Sequence, residues 1–388
     1  MTMGKTPSVM LLIDTSRVYG LGIFRGVTKY ARLHGPWIFH NTLPFFGKTM
    51  TGLPHFDSLA LDGLILFTQD RKILARALKS GLPLVVRGIK GPVPGVPNIV
   101  SDNREAGAKA ADYLLSLGLS DLGFCGYFGV SWSKERELGF CQEALSRGYR
   151  PDVYRQPKAL EKRQWHREKP FLMNWLAALP KPAGILCAND DRGQQVIEAC
   201  GSAGLRVPDD CAVIGVDNFD SMCEQCNPPL SSVARSFEEA GYQAAEVLAQ
   251  AMAGQDVSDR TVIIRPTEII PRQSTDILAI DDPEVAQAVR FIRQESHSPL
   301  TVENVLETVP VSRGHLDRRF VQVLGRPIHQ EITRARIERI TRLLLETSRS
   351  VTQISVDLGF NGPDRLSRYF QRHQGVSPRD YRRRYGRS

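Results

Sequence analysis

The sequence predicts an α/β body followed by an all-α module that holds two helix-turn-helix units. Three observations carry this reading. Short apolar runs alternate with helical stretches from residue 8 to about 270. The alternation breaks at RPTEIIPRQSTDILAIDDPE (265 to 284), and only helical periodicity follows. One helical pattern in that last part then occurs twice, fifty residues apart. Length agrees, since 388 residues suit two or three domains, each with its own core.

The strands come first. Residues 9–13, 64–67, 84–86, 98–100, 122–125, 185–188 and 212–216 are short and rich in Val, Ile and Leu, as parallel strands buried on both faces are. Helical stretches lie between them at 19–33, 104–117, 134–147, 193–203 and 238–252, most of them followed by a glycine (35, 118, 148, 204, 254). Such βα repetition builds either one large doubly wound sheet or two smaller ones facing a cleft. Ligands of such folds bind beyond the C-terminal strand ends.

Composition excludes several classes. Apolar residues make up 42% and charged residues 24%, which is ordinary for a globular chain. The N-terminal apolar run of five residues is too short for a signal segment, and no run approaches the eighteen needed to span a bilayer. The protein is therefore expected in the cytoplasm, without a membrane partner. Seven scattered cysteines read as reduced, mostly buried thiols, and a lone Cys223-x2-Cys226 is weak evidence for metal or redox chemistry. GLGIFRG (20 to 26) lacks the third glycine of a dinucleotide fingerprint, and FGKT (46 to 49) lacks the opening glycine of a phosphate loop. Neither GxSxG nor HExxH occurs. No catalytic residue, cofactor or metal is expected.

Charge is distributed unevenly. From residue 281 onward there are 19 Arg, no Lys and 13 acidic residues, so this segment carries +6 of the formal +8. A basic module on a near-neutral body suits an anionic polymer.

Leading into DLGFNGPDRLSRYF (357 to 370), Val351, Ile354 and Leu358 form one face of a short helix that stops at Gly359. Asn361 offers a cap, Pro363 suits a first turn, and a second helix runs to about His373. Leu366, Tyr369, Phe370 and His373 make its inward stripe, whereas Arg365, Arg368 and Arg372 project from another face. Leu316-x-Arg318-x-Phe320-x4-Gly325 repeats as Leu366-x-Arg368-x-Phe370-x4-Gly375. The first unit has an introducing helix near 302–308, Ser312 as cap, and a connecting helix at about 330–346. Two such helices suit successive major grooves about 34 Å apart. The residues expected at double-stranded DNA, on promoter half-sites, are Ser312, Arg313, His315, Arg318 and Arg319 in the first unit, with Asn361, Asp364, Arg365, Arg368 and Arg372 in the second.

The last 105 or so residues resemble the AraC/XylS family of bacterial transcription factors, through Gly359-Phe360, Phe370, Gly375, Ser377-Pro378 and Tyr381-Arg382. Pro310, just ahead of the first recognition helix, departs from that pattern. The body resembles the periplasmic-binding-protein-like (type I) ligand domains of lactose and purine repressors, through Trp132-x3-Arg136-x2-Gly139-Phe140, AND (188 to 190), VIGVDN (213 to 218) and PPLSSV (228 to 233). The resemblance implies a two-lobed effector domain at 1–275, with lobes of about 8–120 plus 235–255 and 121–232 plus 260–273. A linker at 276–284 and a DNA-binding domain at 285–388 would follow.

A sugar needs planar carboxylate, amide and guanidinium groups together with an aromatic wall. The strand ends supply Asp14, Tyr19, Arg87, Trp132, Arg136, Asn189, Asp190, Asp217 and Asn218. By resemblance Arg136, Asp190 and Asp217 contact the effector, and Trp132 is the stacking wall. Asp102 and Asn103 read as a helix cap. The expected protein is a sugar-responsive regulator, an activator of xylose or other pentose catabolism genes. Its effector would be D-xylose or a related pentose, and it would act as a homodimer with RNA polymerase as a further partner. The alternatives are an α/β enzyme acting on sugars or nucleotides with an accessory helical domain, and a transport binding protein.

Overall fold

The computed structural model describes residues 6–41, 59–67, 70–88, 91–158, 165–277, 282–347 and 349–385. The chain divides into two compact units, Met1–Ile277 and Leu278–Ser388.

The first unit begins with β1 (Ser8–Leu12), α1 (Val18–His34), β2 (Ile38–Asn41), β3 (Gly63–Phe67), α2 (Arg71–Lys79), β4 (Leu84–Arg87), β5 (Asn98–Ser101) and α3 (Asn103–Ser116). Next come β6 (Asp121–Cys125), α4 (Ser131–Ser146), β7 (Asp152–Val153), α5 (Trp165–Ala178), β8 (Ala183–Cys187), α6 (Asp190–Ser202), β9 (Cys211–Val216) and α7 (Asp220–Gln225). β10 (Ser231–Arg235), α8 (Phe237–Met252), β11 (Thr261–Ile264) and β12 (Pro266–Ile270) complete it.

Two six-stranded sheets result, in the orders β11-β5-β4-β3-β1-β2 and β12-β10-β9-β8-β6-β7. The first is parallel throughout; in the second only β12 runs antiparallel, against β10. The inner strands are buried because helices cover both faces. In the first lobe α1 and α8 pack on one face and α2 on the other. In the second lobe α3 and α4 cover one face, with α5 and α6 opposite.

The lobe limits differ from expectation in two places. β11 pairs with β5 and so lies in the first sheet, although 260–273 was expected in the second lobe. Helix α3 packs on the second sheet through Ala106, Ala110 and Leu114, because its apolar face matches β8 and β9 rather than the first lobe. The chain therefore crosses between lobes three times, at Ser101–Asn103, at Arg235–Phe237 and at Arg265. The crossings are laced together. Asp102 N donates to Ile264 O at 2.9 Å, Ser236 N to Arg265 O at 2.9 Å, and Arg265 N to Ser236 Oγ at 3.0 Å.

GLGIFRG lies in α1. A Cβ on Gly22 would meet Phe237 Cβ at 2.5 Å and one on Gly26 would meet Glu238 O at 2.0 Å, so these two glycines serve helix packing against α8. FGKT lies outside the described residues. All seven cysteines are free thiols, six of them buried and Cys141 half-buried. Among the described residues no helix is long and apolar enough to cross a membrane, and no His, Cys, Asp and Glu group is placed to hold a metal ion.

The second unit is helical: α9 (Pro283–Gln294), α10 (Val302–Leu306), α11 (Arg313–Leu324), α12 (Ile328–Glu346), α13 (Val351–Asp357), α14 (Pro363–Gln374) and α15 (Pro378–Tyr385). Helix α9 starts at Pro283, inside the stretch expected as linker, because Asp282 caps it by accepting from Val285 N at 3.0 Å. Two apolar cores form. One joins Val285, Val289 and Ile292 to Leu316 and Phe320; the other joins Ile340 and Leu344 to Ile354, Leu358, Leu366 and Phe370. The 19 residues of α12 pass through both cores and are about 28 Å long at ~1.5 Å per residue.

Candidate effector cleft and nucleic-acid interface

In each sheet the strand order reverses at one point, between β1 and β3 in the first and between β6 and β8 in the second. Site residues gather at the C-terminal ends of these strands and their neighbours. The second lobe contributes the densest group. Arg136 of α4 donates from Nη2 to Asp217 Oδ1 at 2.8 Å, from Nη1 to Ala188 O at 2.5 Å, and from Nε to Asn103 Oδ1 at 3.2 Å. Its side chain is 4% exposed and that of Asp217 is 19% exposed.

Helix packing sets this geometry. A Cβ on Gly139 would stand 1.9 Å from Arg104 O, and one on Gly107 would stand 2.1 Å from Arg136 O. Only glycine lets α3 and α4 approach closely enough to bring Arg136 onto Asn103. Asp217 and Asn218, which follow β9, have φ of 102° and 51°, a left-handed pair of non-glycine residues. They are held there by Asp217 N donating to Val233 O and by Asn218 N donating to Ser232 Oγ, both at 3.0 Å. Strain of this kind concentrates at binding and switch sites.

Arg235, at the end of β10, is the residue that sequence reasoning missed. Its Nη1 donates to Asn103 Oδ1 at 3.2 Å and lies 3.6 Å from Asp217, and its Nη2 donates to Ile264 O at 3.0 Å. One guanidinium on the second crossing thus ties the first and third crossings together beside the site. Burial, and next the Arg136 charge, push it down to about 10. The only sequence signal was an arginine closing the SSVAR run, a strand too polar to recognise by composition. Asn103 was read as part of a helix cap. In fact Asp102 makes the cap, accepting from Glu105 N at 3.0 Å, which leaves Asn103 to the two arginines.

The first lobe brings Asp14, Tyr19 and Arg87. Asp14 is exposed and accepts from Ser16 N and Ser16 Oγ at 3.0 and 2.5 Å. The Arg87 guanidinium lies 5.8 Å from the ring centroids of both Tyr19 and Phe67. Burial lowers its affinity for the proton, while Tyr19 and Asp217 pull the other way, so Arg87 feels the carboxylate of the opposite lobe. Among the described residues one ion pair spans the lobes directly, with Arg17 Nη1 at 2.7 and 3.0 Å from the two Asp191 oxygens.

Three expected sugar contacts are turned to other uses. Asp190 is buried, with Oδ1 accepting from Ser232 Oγ at 2.6 Å and Oδ2 from Phe219 N at 2.7 Å. Burial, then the Asp217 charge, raise it to about 7. It braces the strand ends beneath the cleft. Asn189 caps α6 through Arg192 N at 3.1 Å and donates to Asp191 at 2.8 Å. Asn218 donates to Asp220 and accepts from Arg272, both at 3.0 Å. Trp132 carries the Arg136 guanidinium 5.0 Å from its ring centroid and meets Tyr127 edge-on.

In the second unit, Ser350 and Gln353 form a reciprocal capping box that starts α13. Gly362, at φ 101°, occupies the N-cap of α14 ahead of Pro363, so Asn361 is exposed and does not cap. Ser312 stands at the N-cap of α11 without a side-chain bond. His373 is exposed rather than inward, resting on Tyr369 at a centroid distance of 5.0 Å. Leu366 and Phe370 anchor α14 while Arg365, Arg368 and Arg372 are exposed. Among the described residues none of these three, nor Arg318, takes part in an ion pair. Arg368 makes one long bond to Asp364 O at 3.5 Å and Arg318 one to Gly314 O at 3.1 Å. Ser312, His315 and Asp364 are exposed alongside them. Arg313 pairs with Glu303 at 2.8 Å on the surface. Arg319 departs from expectation: its Nε bonds Asp282 and its Nη2 bonds Glu284 at 2.6 Å, so it is committed within the protein.

Comparison with known proteins places these two halves. The periplasmic binding protein-like domain family matches residues 111–275, and a helix-turn-helix domain family matches residues 306–384. The xylose operon regulatory protein of Escherichia coli K12 is 28% identical over 97% of both chains. That of Haemophilus influenzae is 28% identical, covering 96% of this chain and 97% of its own. The solved structure of the xylose-binding transcription activator XylR superposes with a TM-score of 0.80 at 26% identity, over the whole of both chains. The chain is a two-domain transcription regulator, built as the xylose operon regulatory proteins are. It pairs a periplasmic binding protein-like domain with a helix-turn-helix domain, and it is a regulator rather than an enzyme.

Proposed function

We propose that the chain senses a pentose, D-xylose before others, in the cleft of its first unit and activates pentose catabolism genes through its second. The observation that carries this is the Arg136–Asp217 pair at the C-terminal strand ends of the second sheet, facing Arg87 and Tyr19 of the first. Guanidinium and carboxylate side by side offer donors and acceptors to adjacent hydroxyls, and Trp132 offers an apolar face. The similarity to the xylose-binding activator XylR and to xylose operon regulatory proteins supports the choice of sugar.

A sugar held by Asp14, Tyr19 and Arg87 on one side and by Trp132, Arg136 and Asp217 on the other stabilises the closed cleft, and only that difference in affinity drives the switch. The DNA contacts are Arg318, Arg365, Arg368 and Arg372, assisted by Ser312, Arg313, His315, Asn361 and Asp364. Pairing of two copies on repeated half-sites multiplies affinity through effective concentration, so a homodimer is the working form. As an activator it meets RNA polymerase, in the cytoplasm where the chromosome lies. A thermal-shift panel with D-xylose, L-arabinose and D-ribose tests the sugar. Stabilisation by D-xylose above the others supports the reading, and an unmoved melting temperature with all pentoses ends it.

A further inference from the structure

We infer that Arg319 is a positioning residue that makes the first turn of α9 and the recognition helix α11 move as one, and so passes the state of the first unit to the DNA-facing surface. The inference rests on the sugar-responsive reading above.

The internal repeat shows which way position 319 faces. Fifty residues on, Arg318 corresponds to Arg368 and Arg319 to Tyr369. Arg318 and Arg368 are both exposed. Tyr369 is half-buried and packs on Phe360 at a centroid distance of 5.5 Å. Position 319 therefore belongs to the protein-facing side of its helix. Where the second helix-turn-helix repeat places an aromatic ring there, the first repeat places a guanidinium between two carboxylates. The acidic pair is particular to the first repeat too, since Ile332 and Arg334 stand fifty residues beyond Asp282 and Glu284.

The connection is short in sequence. Asp282 comes five residues after Ile277, the last residue of the first unit. Its Oδ1 caps α9 and its Oδ2 takes Arg319 Nε, while Glu284 takes Arg319 Nη2 at 2.6 Å. These side chains are between 13% and 31% exposed, shielded enough to hold their geometry. Behind them Val285, Val289 and Ile292 share one core with Leu316 and Phe320. A displacement at the start of α9 is thus carried to α11, on which Arg318 and His315 stand.

The test uses the full chain with Asp282→Asn and Glu284→Gln combined. Asn caps a helix about as well as Asp, so α9 is retained while the charge leaves. A second variant, Arg319→Lys, keeps the charge but loses the planar fork that spans two carboxylates. Each is titrated, with and without saturating D-xylose, against a duplex that the unmutated protein enriches from a random pool. The expected result is that the sugar-induced change in DNA affinity shrinks at least fivefold in the double variant and by less in Arg319→Lys. Calorimetric affinity for D-xylose should stay within twofold. A sugar response preserved within twofold in both variants overturns the inference. So does DNA binding shifted equally with and without sugar, which would make Arg319 an ordinary DNA contact. If the unmutated protein itself shows no sugar response, the sugar-responsive reading fails and the inference goes with it.

Discussion

The Arg136 guanidinium and the Asp217 carboxylate meet at 2.8 Å, at the point where three crossings of the chain also converge. Removing one member of such a pair leaves the other poorly compensated. Asp217→Asn keeps the shape and is expected to weaken D-xylose binding by about 2–3 kcal/mol, or roughly a hundredfold. Arg136→Ala should cost about 3 kcal/mol of stability, toward the lower end for buried pairs because Asp217 keeps some water. Calorimetric titration and chemical denaturation measure the two. A Kd within threefold of the unmutated value for Asp217→Asn would remove Asp217 from the site.

The Arg17–Asp191 pair joins the lobes but is half open to water, at 45% and 34% exposure. Exposed pairs are worth about 0.2–1 kcal/mol. Asp191→Asn should therefore loosen D-xylose binding by no more than about fivefold, through easier opening. The difference should fade in ~1 M salt, where screening reaches about 3 Å. A salt-independent loss would point to direct sugar contact instead.

On the DNA side, Arg365→Ala with Arg368→Ala should reduce affinity by at least about tenfold, each base-reading arginine contributing about 1–3 kcal/mol. If an arginine grips phosphate instead, its removal lowers the slope of log affinity against log salt by about one. Anisotropy titrations over a salt series separate the two modes. Unchanged affinity and slope would leave α14 without a recognition role.

Asp190 predicts a pH dependence. Burial first, then the Asp217 charge, raise its carboxyl from 3.8 to about 7. Between those values the folded chain holds a proton that the unfolded chain has lost. This contribution to stability is therefore complete below about pH 4 and is lost as pH rises through 7, with a slope of up to about 1.4 kcal/mol per pH unit. Denaturation midpoints from pH 5 to 8 should fall less steeply for Asp190→Asn than for the unmutated chain. Coincident slopes would mean an ordinary carboxyl.

Much of this architecture was legible in the sequence, and the exceptions have physical reasons. Runs such as Val9–Leu12 and Ile185–Cys187 announce buried parallel strands because both faces must be apolar. The recognition helices were legible because a fifty-residue repeat ties Leu316 and Phe320 to Leu366 and Phe370. β10 was missed since Ser231 and Ser232 are buried but satisfied, by Thr275, Asp190 and the Arg272 backbone, and composition alone cannot anticipate such partners. The same blindness hid Arg235. Arg319 looked like a reader because it sits beside Arg318, and its two carboxylates lie more than thirty residues away in the chain. Asp190 was assigned to sugar from a motif, whereas its burial emerges only when β9 and β10 close over it.

The laced crossings have one more implication. Three connections laced at one place resist twisting of one lobe on the other more than a single strand does, and so favour opening and closing. An occupant of the cleft would then act chiefly through the time the lobes spend closed.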